Sequence, residues 1–334
     1  MKNILITGGA GYAGTLLTDY LLKAKYKVTI YDNFLYGNYH KKRKNLKLIK
    51  NDITNSKAFF KACKNIDIVL HLACISNDPT FDLKPGLSKK INFDCFEDLV
   101  ISAKKNGVKR FIYVSTSSVY GISRKKNIKE DHPFKPITDY NKYKGLCEPI
   151  LFKYADENFT TVVARPATLC GYSPRCRLDL SVNILTNHAY HNKEILIFGG
   201  NQKRPNLHIK DMCRAYMLLI SAKKSKVQKE CFNIGFRNLK IKQIAKIVQK
   251  NVQDHFKKRK IKEKIKLTFT PSNDQRSYHI NSDKIKKVLN FKPMYGIEDA
   301  VKELCIAFEK KKLTRTFEND NFYNIKVLNK IYKK

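Results

Sequence analysis

Tryptophan is missing from this 334-residue chain, acidic residues are scarce, and no Cys-x-x-Cys pair occurs among its nine cysteines. The closest two are Cys170 and Cys176. An odd count without paired spacing argues against a disulfide framework or a zinc module and predicts free thiols in a reducing compartment. No apolar run approaches the ~18 residues of a membrane helix. The opening MKNILITGG runs into glycines too early for a signal peptide and reads as a first strand. The expected location is therefore the cytoplasm, with no membrane partner. With only 14 Gly and 10 Pro the chain is neither collagen-like nor of low complexity. What it does have is apolar material: 43% hydrophobic residues, with 18 Tyr and 19 Phe, enough for one large core or two modest ones. That excludes a disordered chain.

The shortage of acid leaves 29 Asp and Glu against 66 Lys and Arg, a net charge of +37. Such a balance normally points to nucleic acid or an anionic surface. Here 54 of the basic residues are Lys and only 12 are Arg, and Asn is abundant. This resembles the drift expected from an AT-rich genome, spread over solvated faces. One dense block stands out, Lys257, Lys258, Arg259 and Lys260 followed by Lys262, Lys264 and Lys266. Nucleic acid is not expected as the main partner.

The first half alternates short β-branched runs with helical stretches, the pattern of a parallel sheet wrapped by helices. Strands are predicted at 3–7, 27–31, 46–50, 66–70, 110–115 and 161–165, and helices at 12–23, 56–62 and about 88–105. Gly107 falls just past the last of these, where a left-handed cap needs no Cβ. Further on, Ile244, Ala245, Val248 and Val252, and again Ile297, Ala300, Val301 and Leu304, recur at helical spacing. Strands are expected at 195–198, 231–234 and 266–270. The expected architecture is α/β: a Rossmann-type doubly wound parallel sheet over 1–165, to which later segments return, a smaller α/β substrate domain over 166–312, and a loosely attached polar tail over 313–334.

TGGAGYAG at 7–14 follows the first strand and opens the first helix. Glycines at 8, 11 and 14 permit a tight turn, close backbone approach to a diphosphate and close helix–strand packing. The helix N-terminus then offers free N–H groups and a positive dipole end to phosphates. Asp32 ends the second strand, where a carboxylate accepts from both ribose hydroxyls and repels a 2′-phosphate, favouring NAD over NADP. Asp52, after the third strand, is placed to reach an adenine amino group.

The strand at 110–115 runs into Thr116-Ser117-Ser118-Val119-Tyr120-Gly121, and Tyr140-Asn141-Lys142-Tyr143-Lys144 follows some twenty residues later. Tyr140 and Lys144 are four apart and share a helix face. A phenol of reference pKa ~10 is a poor base at neutral pH. A neighbouring ammonium and a positive nicotinamide each favour the phenolate and are expected to lower that value. A hydroxyl from the serine–threonine loop would orient the substrate oxygen. Such a set deprotonates an alcohol while NAD takes the hydride.

Taken in order, TGGAGYAG, Asp32, NDIT at 51–54, HLAC at 71–74, STSSVYG at 115–121 and YNKYK at 140–144 resemble the extended short-chain dehydrogenases of the nucleotide-sugar epimerase/dehydratase group. ARPATLCGYSPR at 164–175, the stretch at 202–211 and the block with Arg276, Asp283 and NFKP at 290–293 are similar to that group's substrate-side segments, so the resemblance extends to about residue 310. It implies Tyr140 as acid/base and Lys144 as holder of the nicotinamide ribose. Thr116 falls at the catalytic hydroxyl position, with Ser115 and Ser117 its nearest competitors. The implied cofactor contacts are Gly8, Gly11, Tyr12, Ala13, Gly14, Asp32, Asn33, Asp52, Ile53, Leu72, Ala73, Tyr140 and Lys144. Asn77, Thr116, Thr168, Asn183, Arg204 and Arg276 are the implied substrate contacts, the two arginines on the diphosphate. A homodimer built on the 88–105 and 140–154 helices is also implied.

There are departures on the substrate side. Thr168 stands where the group commonly has Asn, Cys170 and Tyr172 flank Gly171 in place of Tyr and Pro, and Ser76-Asn77-Asp78-Pro79 is unlike the apolar stretch of galactose epimerases. Family dehydratases follow the catalytic Thr with an Asp–Glu pair; here Ser117 and Ser118 occupy those places, and neither is an acid of suitable pKa. Hydride chemistry alone remains. The expected activity is an NAD-dependent 4-epimerase of a nucleoside-diphosphate hexose, with a 4-keto-sugar reductase as the alternative and a non-catalytic NAD- or nucleic-acid-binding protein as the alternative of another class.

Overall fold

The computed structural model describes residues 1–123, 127–272, 277 and 279–332. Its first six strands are β1 (Asn3–Thr7), β2 (Lys27–Asp32), β3 (Leu46–Lys50), β4 (Ile68–His71), β5 (Arg110–Val114) and β6 (Thr160–Pro166). Six follow: β7 (Thr168–Cys170), β8 (Glu194–Phe198), β9 (Lys203–His208), β10 (Glu230–Ile234), β11 (Arg237–Lys240) and β12 (Lys266–Thr270). Seven of them form one sheet in the order β10-β6-β5-β4-β1-β2-β3, every pair parallel. The central strands are apolar on both faces because helices cover both; β4 is buried along its whole length. Leu5 sits between Thr29 and Val69 in register. The strand order reverses at β1 and β4, and the crevice beyond their carboxyl ends is where an open α/β sheet takes its ligand.

The early helices are α1 (Tyr12–Lys23), α2 (Ser56–Ala62), α3 (Asp78–Phe81), α4 (Pro85–Lys89), α5 (Phe96–Lys105) and α6 (Asp139–Lys153). The single helix expected over 88–105 is instead α4 and α5 joined by a π-helical turn, Lys90–Asp94. That turn has a packing reason. It carries Asn92 inward, where Oδ1 accepts from the Ile75 N–H (2.8 Å) and Nδ2 donates to the Ile75 carbonyl (2.9 Å). Asn92→Ala strands both Ile75 groups in the interior and should lower stability by ~1–3 kcal/mol, read as a lower denaturation midpoint at unchanged slope. Gly107 does take a left-handed conformation after α5 (φ 72°).

A second layer lies past β6. Strands β11, β9 and β7 form a small sheet, and β12 and β8 another. β7, β9 and β11 were not foreseen: they are short, and Pro205 inside β9 removes a ladder donor and breaks the strand signal. β8, β10 and β12 fall within a residue of expectation.

The segment after 312 departs from the loosely attached tail expected of it. Leu313, Phe322, Tyr323 and Leu328 are buried, and the C-terminal helix Asn324–Tyr332 packs against α3. The apolar residues are too few and too widely spaced to announce this, and the surrounding lysines mask them. On the helices of the implied dimer, Leu99 and Leu151 are buried within the chain; Leu146 in α6 and Leu87 in α4 are the exposed apolar positions there. Among the described residues no helix is long and apolar enough to cross a membrane, and no cluster of His, Cys, Asp or Glu could hold a metal.

Candidate active site

At the carboxyl end of β1 the chain turns through Gly8 (φ 68°), and a Cβ there would lie 2.7 Å from the Ala73 backbone that follows β4. Thr7 and His71 join the same two strand ends: Thr7 Oγ1 pairs with His71 Nδ1 (2.8 Å) and accepts from the Ala73 N–H (3.3 Å). Burial, with the Lys144 charge acting the same way, pushes His71 down to about 3, so the ring is neutral. At Gly14 a Cβ would meet Gly9 Cα at 2.5 Å, so this glycine is required for α1 to close on the strand. The N-cap of α1 is Gly11, which brings no capping side chain, and the first-turn residues Tyr12, Ala13 and Gly14 line the cavity. This is a cradle for phosphate.

Asp32 ends β2 with its carboxylate held by the N–H groups of Ala10 (2.9 Å) and Phe34 (2.7 Å). Burial raises its pKa, against those two donors and the charges of His40 and Arg175. Asp52 is lower than usual: burial opposes ionisation, but donors from Thr54 Oγ1 (2.7 Å) and N (2.9 Å) outweigh it. Gly8, Gly11, Tyr12, Ala13, Gly14, Asp32, Asn33, Asp52, Ile53, Leu72 and Ala73 all line one cavity of about 550 Å³, as do Thr116, Tyr140 and Lys144. The glycine cradle, the uncapped helix end and the carboxylate at the end of β2 together fit a dinucleotide.

Along α6, capped by Thr138, Tyr140 and Lys144 come to the same wall. Lys144 Nζ donates to the Val114 carbonyl (2.5 Å) and lies 4.5 Å from the centre of the Tyr113 ring. The expected lowering of the Tyr140 phenol is not what the chain itself produces. Burial, then the Cys74 thiol and the Asp78 carboxyl, raise it, against the Arg177 guanidinium and the Asn77 N–H. The ammonium is engaged elsewhere, and the positive nicotinamide belongs to the loaded site.

Of the three hydroxyl candidates on the loop after β5, Ser115 is occupied: its Oγ donates to Glu148 Oε1 (2.6 Å) beside the buried Glu148–Arg165 pair. Thr116 Oγ1 and Ser118 Oγ lie 2.7 Å apart on the cavity wall. Asn77, Thr168 and Arg204 line the same cavity. Asn77 holds a backbone conformation (φ 75°, ψ 158°) almost confined to glycine, and from it the N–H reaches the Tyr140 phenol.

Two expected substrate contacts are not placed there. Arg276 lies outside the described residues. Asn183 is buried away from the cavity and braces its rim instead: Oδ1 accepts from the Gly171 N–H (2.9 Å) and Nδ2 donates to the Arg177 carbonyl (2.8 Å). Conversely, Ser76, Arg175, Arg177, Asp179 and Asn324 line the cavity and are not among the contacts that the resemblance implies. The Arg-x-Arg-x-Asp spacing of 175–179 was the available signal; nothing local marks Asn324. Arg177 forms a two-point ion pair with Asp179 (2.8 and 3.2 Å) and donates to Ser76 Oγ (3.2 Å).

Residues 4–235 match the model of the NAD dependent epimerase/dehydratase family. UDP-N-acetyl-alpha-D-glucosaminuronate decarboxylase of Bacillus cytotoxicus is 30% identical over 257 residues, 73% of this chain and 78% of its own. Human dTDP-D-glucose 4,6-dehydratase is 27% identical over 98% of this chain and 93% of its own. Among solved structures, UDP-glucuronic acid 4-epimerase from Bacillus cereus, in complex with UDP-glucuronic acid and NAD, superposes with a TM-score of 0.80 at 26% identity, covering 92% of this chain and 99% of that one. Three relatives thus carry out three different reactions.

Proposed function

Because the chain belongs to the NAD dependent epimerase/dehydratase family, we propose that it is a 4-epimerase of a nucleoside-diphosphate hexose. At the family level it is an NAD-dependent enzyme of nucleotide sugars. The observation that carries the finer reading is the hydroxyl run Thr116-Ser117-Ser118 on the cavity wall, where elimination of water calls for a carboxylic acid and where, by the resemblance, the family's decarboxylases also carry an acidic residue. The other cavity carboxylates are committed. Asp179 is paired with Arg177, Asp78 accepts from Thr138 Oγ1 (2.8 Å), and Asp32 and Asp52 lie with the glycine loop at the dinucleotide end.

The residues divide the work by chemistry. The loop 8–14 and the α1 N-terminus hold the diphosphate, and the Asp32 carboxylate accepts from the adenosine ribose hydroxyls. NAD, when bound, supplies the hydride acceptor and donor at the sugar carbon. Tyr140 takes the proton of the C4 hydroxyl as the carbonyl forms and returns it when the opposite face is reduced. Thr116 Oγ1 orients the C4 oxygen, Lys144 holds the nicotinamide ribose, and Arg204 grips the sugar-nucleotide diphosphate. The 4-keto sugar turns over between the two half-reactions, which requires that cofactor and protein stay together. The chain is proposed to pair as a homodimer through the exposed apolar side chains of α4 and α6, with light scattering at twice 38.8 kDa as the check.

The test is to denature freshly purified protein, identify the released nucleotide by mass spectrometry, and incubate intact protein with UDP-glucose, UDP-N-acetylglucosamine, UDP-glucuronic acid and dTDP-glucose without added cofactor. Stoichiometric NAD and a mixture of C4 epimers from one of them are expected. A dehydrated or decarboxylated product, or turnover only with added NADH, overturns the epimerase and in the last case favours the reductase.

A further inference from the structure

The cavity is lined by two buried cationic side chains whose charge has an evident place, and by one whose charge does not. Arg177 is paired with Asp179, and Lys144 rests on a carbonyl and a ring face; Arg165, behind the wall, is paired with Glu148. Arg175 is 1% exposed and lines the same cavity. Its Nη2 donates to a neutral acceptor, Asn324 Oδ1 (2.5 Å), its Cζ lies 4.3 Å from the centre of the Tyr36 ring, and its Nε is buried with no partner among the described residues. Burial, with Arg177 adding to it, pushes this guanidinium down to about 10. Among the described residues no carboxylate pairs with it directly, Asp179 and Asp32 acting on it only at longer range, and a buried cation so weakly compensated is unfavourable, so its retention calls for a further anion.

Where that anion sits follows from what holds residue 175. The turn 171–177 is fastened to the first residue of α1: Tyr12 Oη donates to the Gly171 carbonyl (2.7 Å), and Ser173 Oγ donates to the Tyr12 carbonyl (2.8 Å). Arg175 therefore stands beside the uncapped N-terminus of α1, near enough to Asp32 for its charge to favour that carboxylate. Two positive features converge on one place, and a diphosphate is the anion that answers both.

The far end of the chain sets the guanidinium. Asn324, first residue of the C-terminal helix, accepts from Arg175, donates from Nδ2 to Ser76 Oγ (2.9 Å) and from its backbone N–H to Asp179 Oδ2 (3.0 Å). It thus knots three parts of the cavity rim. The segment is anchored by Phe322, whose carbonyl accepts from the Leu178 N–H (2.9 Å), and by the buried Leu328.

We propose that Arg175 is a cofactor-binding residue that grips the NAD diphosphate together with the α1 N-terminus, and that Asn324 positions it, making residues 320–332 a clasp that keeps the dinucleotide on the enzyme between turnovers. This deepens the epimerase reading, which needs a resident cofactor, but it rests only on NAD as the bound dinucleotide.

Its test needs no sugar product. The diphosphate of the nucleotide sugar is the other source of the same chemistry, so two ligands are measured: NAD retained through gel filtration and its dissociation rate, and UDP affinity by calorimetry. Arg175→Met should release NAD at least tenfold faster, Arg175→Lys should restore part of the loss, and isosteric Asn324→Asp, which gives Arg175 a fixed counter-charge, should also weaken NAD. UDP affinity should stay within twofold in all three. Unchanged NAD release in Arg175→Met, or in Asn324→Asp where the former fails to fold, overturns the proposal. Lost UDP affinity with unchanged NAD release assigns Arg175 to the sugar nucleotide instead. Epimer formation, scored separately, leaves either result standing.

Discussion

Tyr140→Phe should reduce turnover by ~10²–10⁴-fold while NAD content after purification stays at the wild-type level. The substitution removes one oxygen and leaves the ring against Phe81, with which it makes an edge contact at 6.4 Å. What is lost is the group proposed to exchange a proton with the sugar hydroxyl. Without ligand, burial, Cys74 and Asp78 together hold the phenol above its ordinary value, so the free chain keeps it protonated at neutral pH. Activation thus belongs to the loaded site. Single-turnover measurements of enzyme-bound NADH after mixing with substrate give the cleanest reading, and a rate within tenfold of wild type would remove Tyr140 from the chemistry.

Arg165→Met should destabilise the fold by ~3–5 kcal/mol. Arg165 and Glu148 are 4% and 3% exposed, joined through Nε–Oε1 (3.0 Å) and Nη2–Oε2 (2.6 Å). The remaining Nη1 donates to Tyr120 Oη (2.6 Å) and the Glu130 carbonyl (2.9 Å). Removing the guanidinium leaves the carboxylate buried and unpaired, whereas Glu148→Leu combined with Arg165→Met removes both charges and should recover most of the loss. Chemical denaturation of the two variants decides this. A single variant within ~1 kcal/mol of wild type would mean that water reaches the carboxylate. Because Ser115 donates to Glu148, the pair also fixes the loop that carries Thr116, and the double variant should fold yet turn over slowly.

The parts of the site that could be read from the chain are those encoded by neighbours in sequence. Gly8 and Gly14 are dictated by a positive φ and by contacts of a few residues' reach; Tyr140 and Lys144 share a face through the helix period; Asp32 follows from the end of an apolar strand. The same holds for β1 to β6, whose hydrophobic runs are short, continuous and bounded by turns. Local pattern failed where two distant segments satisfy each other. Asn92 bends its helix into a π turn because Ile75 needs two partners, and Ser115 is withdrawn from chemistry by Glu148 thirty-three residues away. Asn183 was placed on the substrate and turns out to brace the rim.

The amino-acid sequence by itself determined the doubly wound sheet, the dinucleotide cradle and the shared helix face of Tyr140 and Lys144, since each rests on backbone conformation or on a repeat of 2 or 3.6 residues that neighbouring side chains express. Only the tertiary structure decided which way the Lys144 ammonium points, what the buried arginines face, and that the lysine-rich end of the chain folds onto the cavity. Arg175 and Asn324 are 149 residues apart, and Ser76 and Asn324 are 248 apart. Hydrogen bonds across such separations leave no periodic trace, because their partners are chosen by the packing of the finished core.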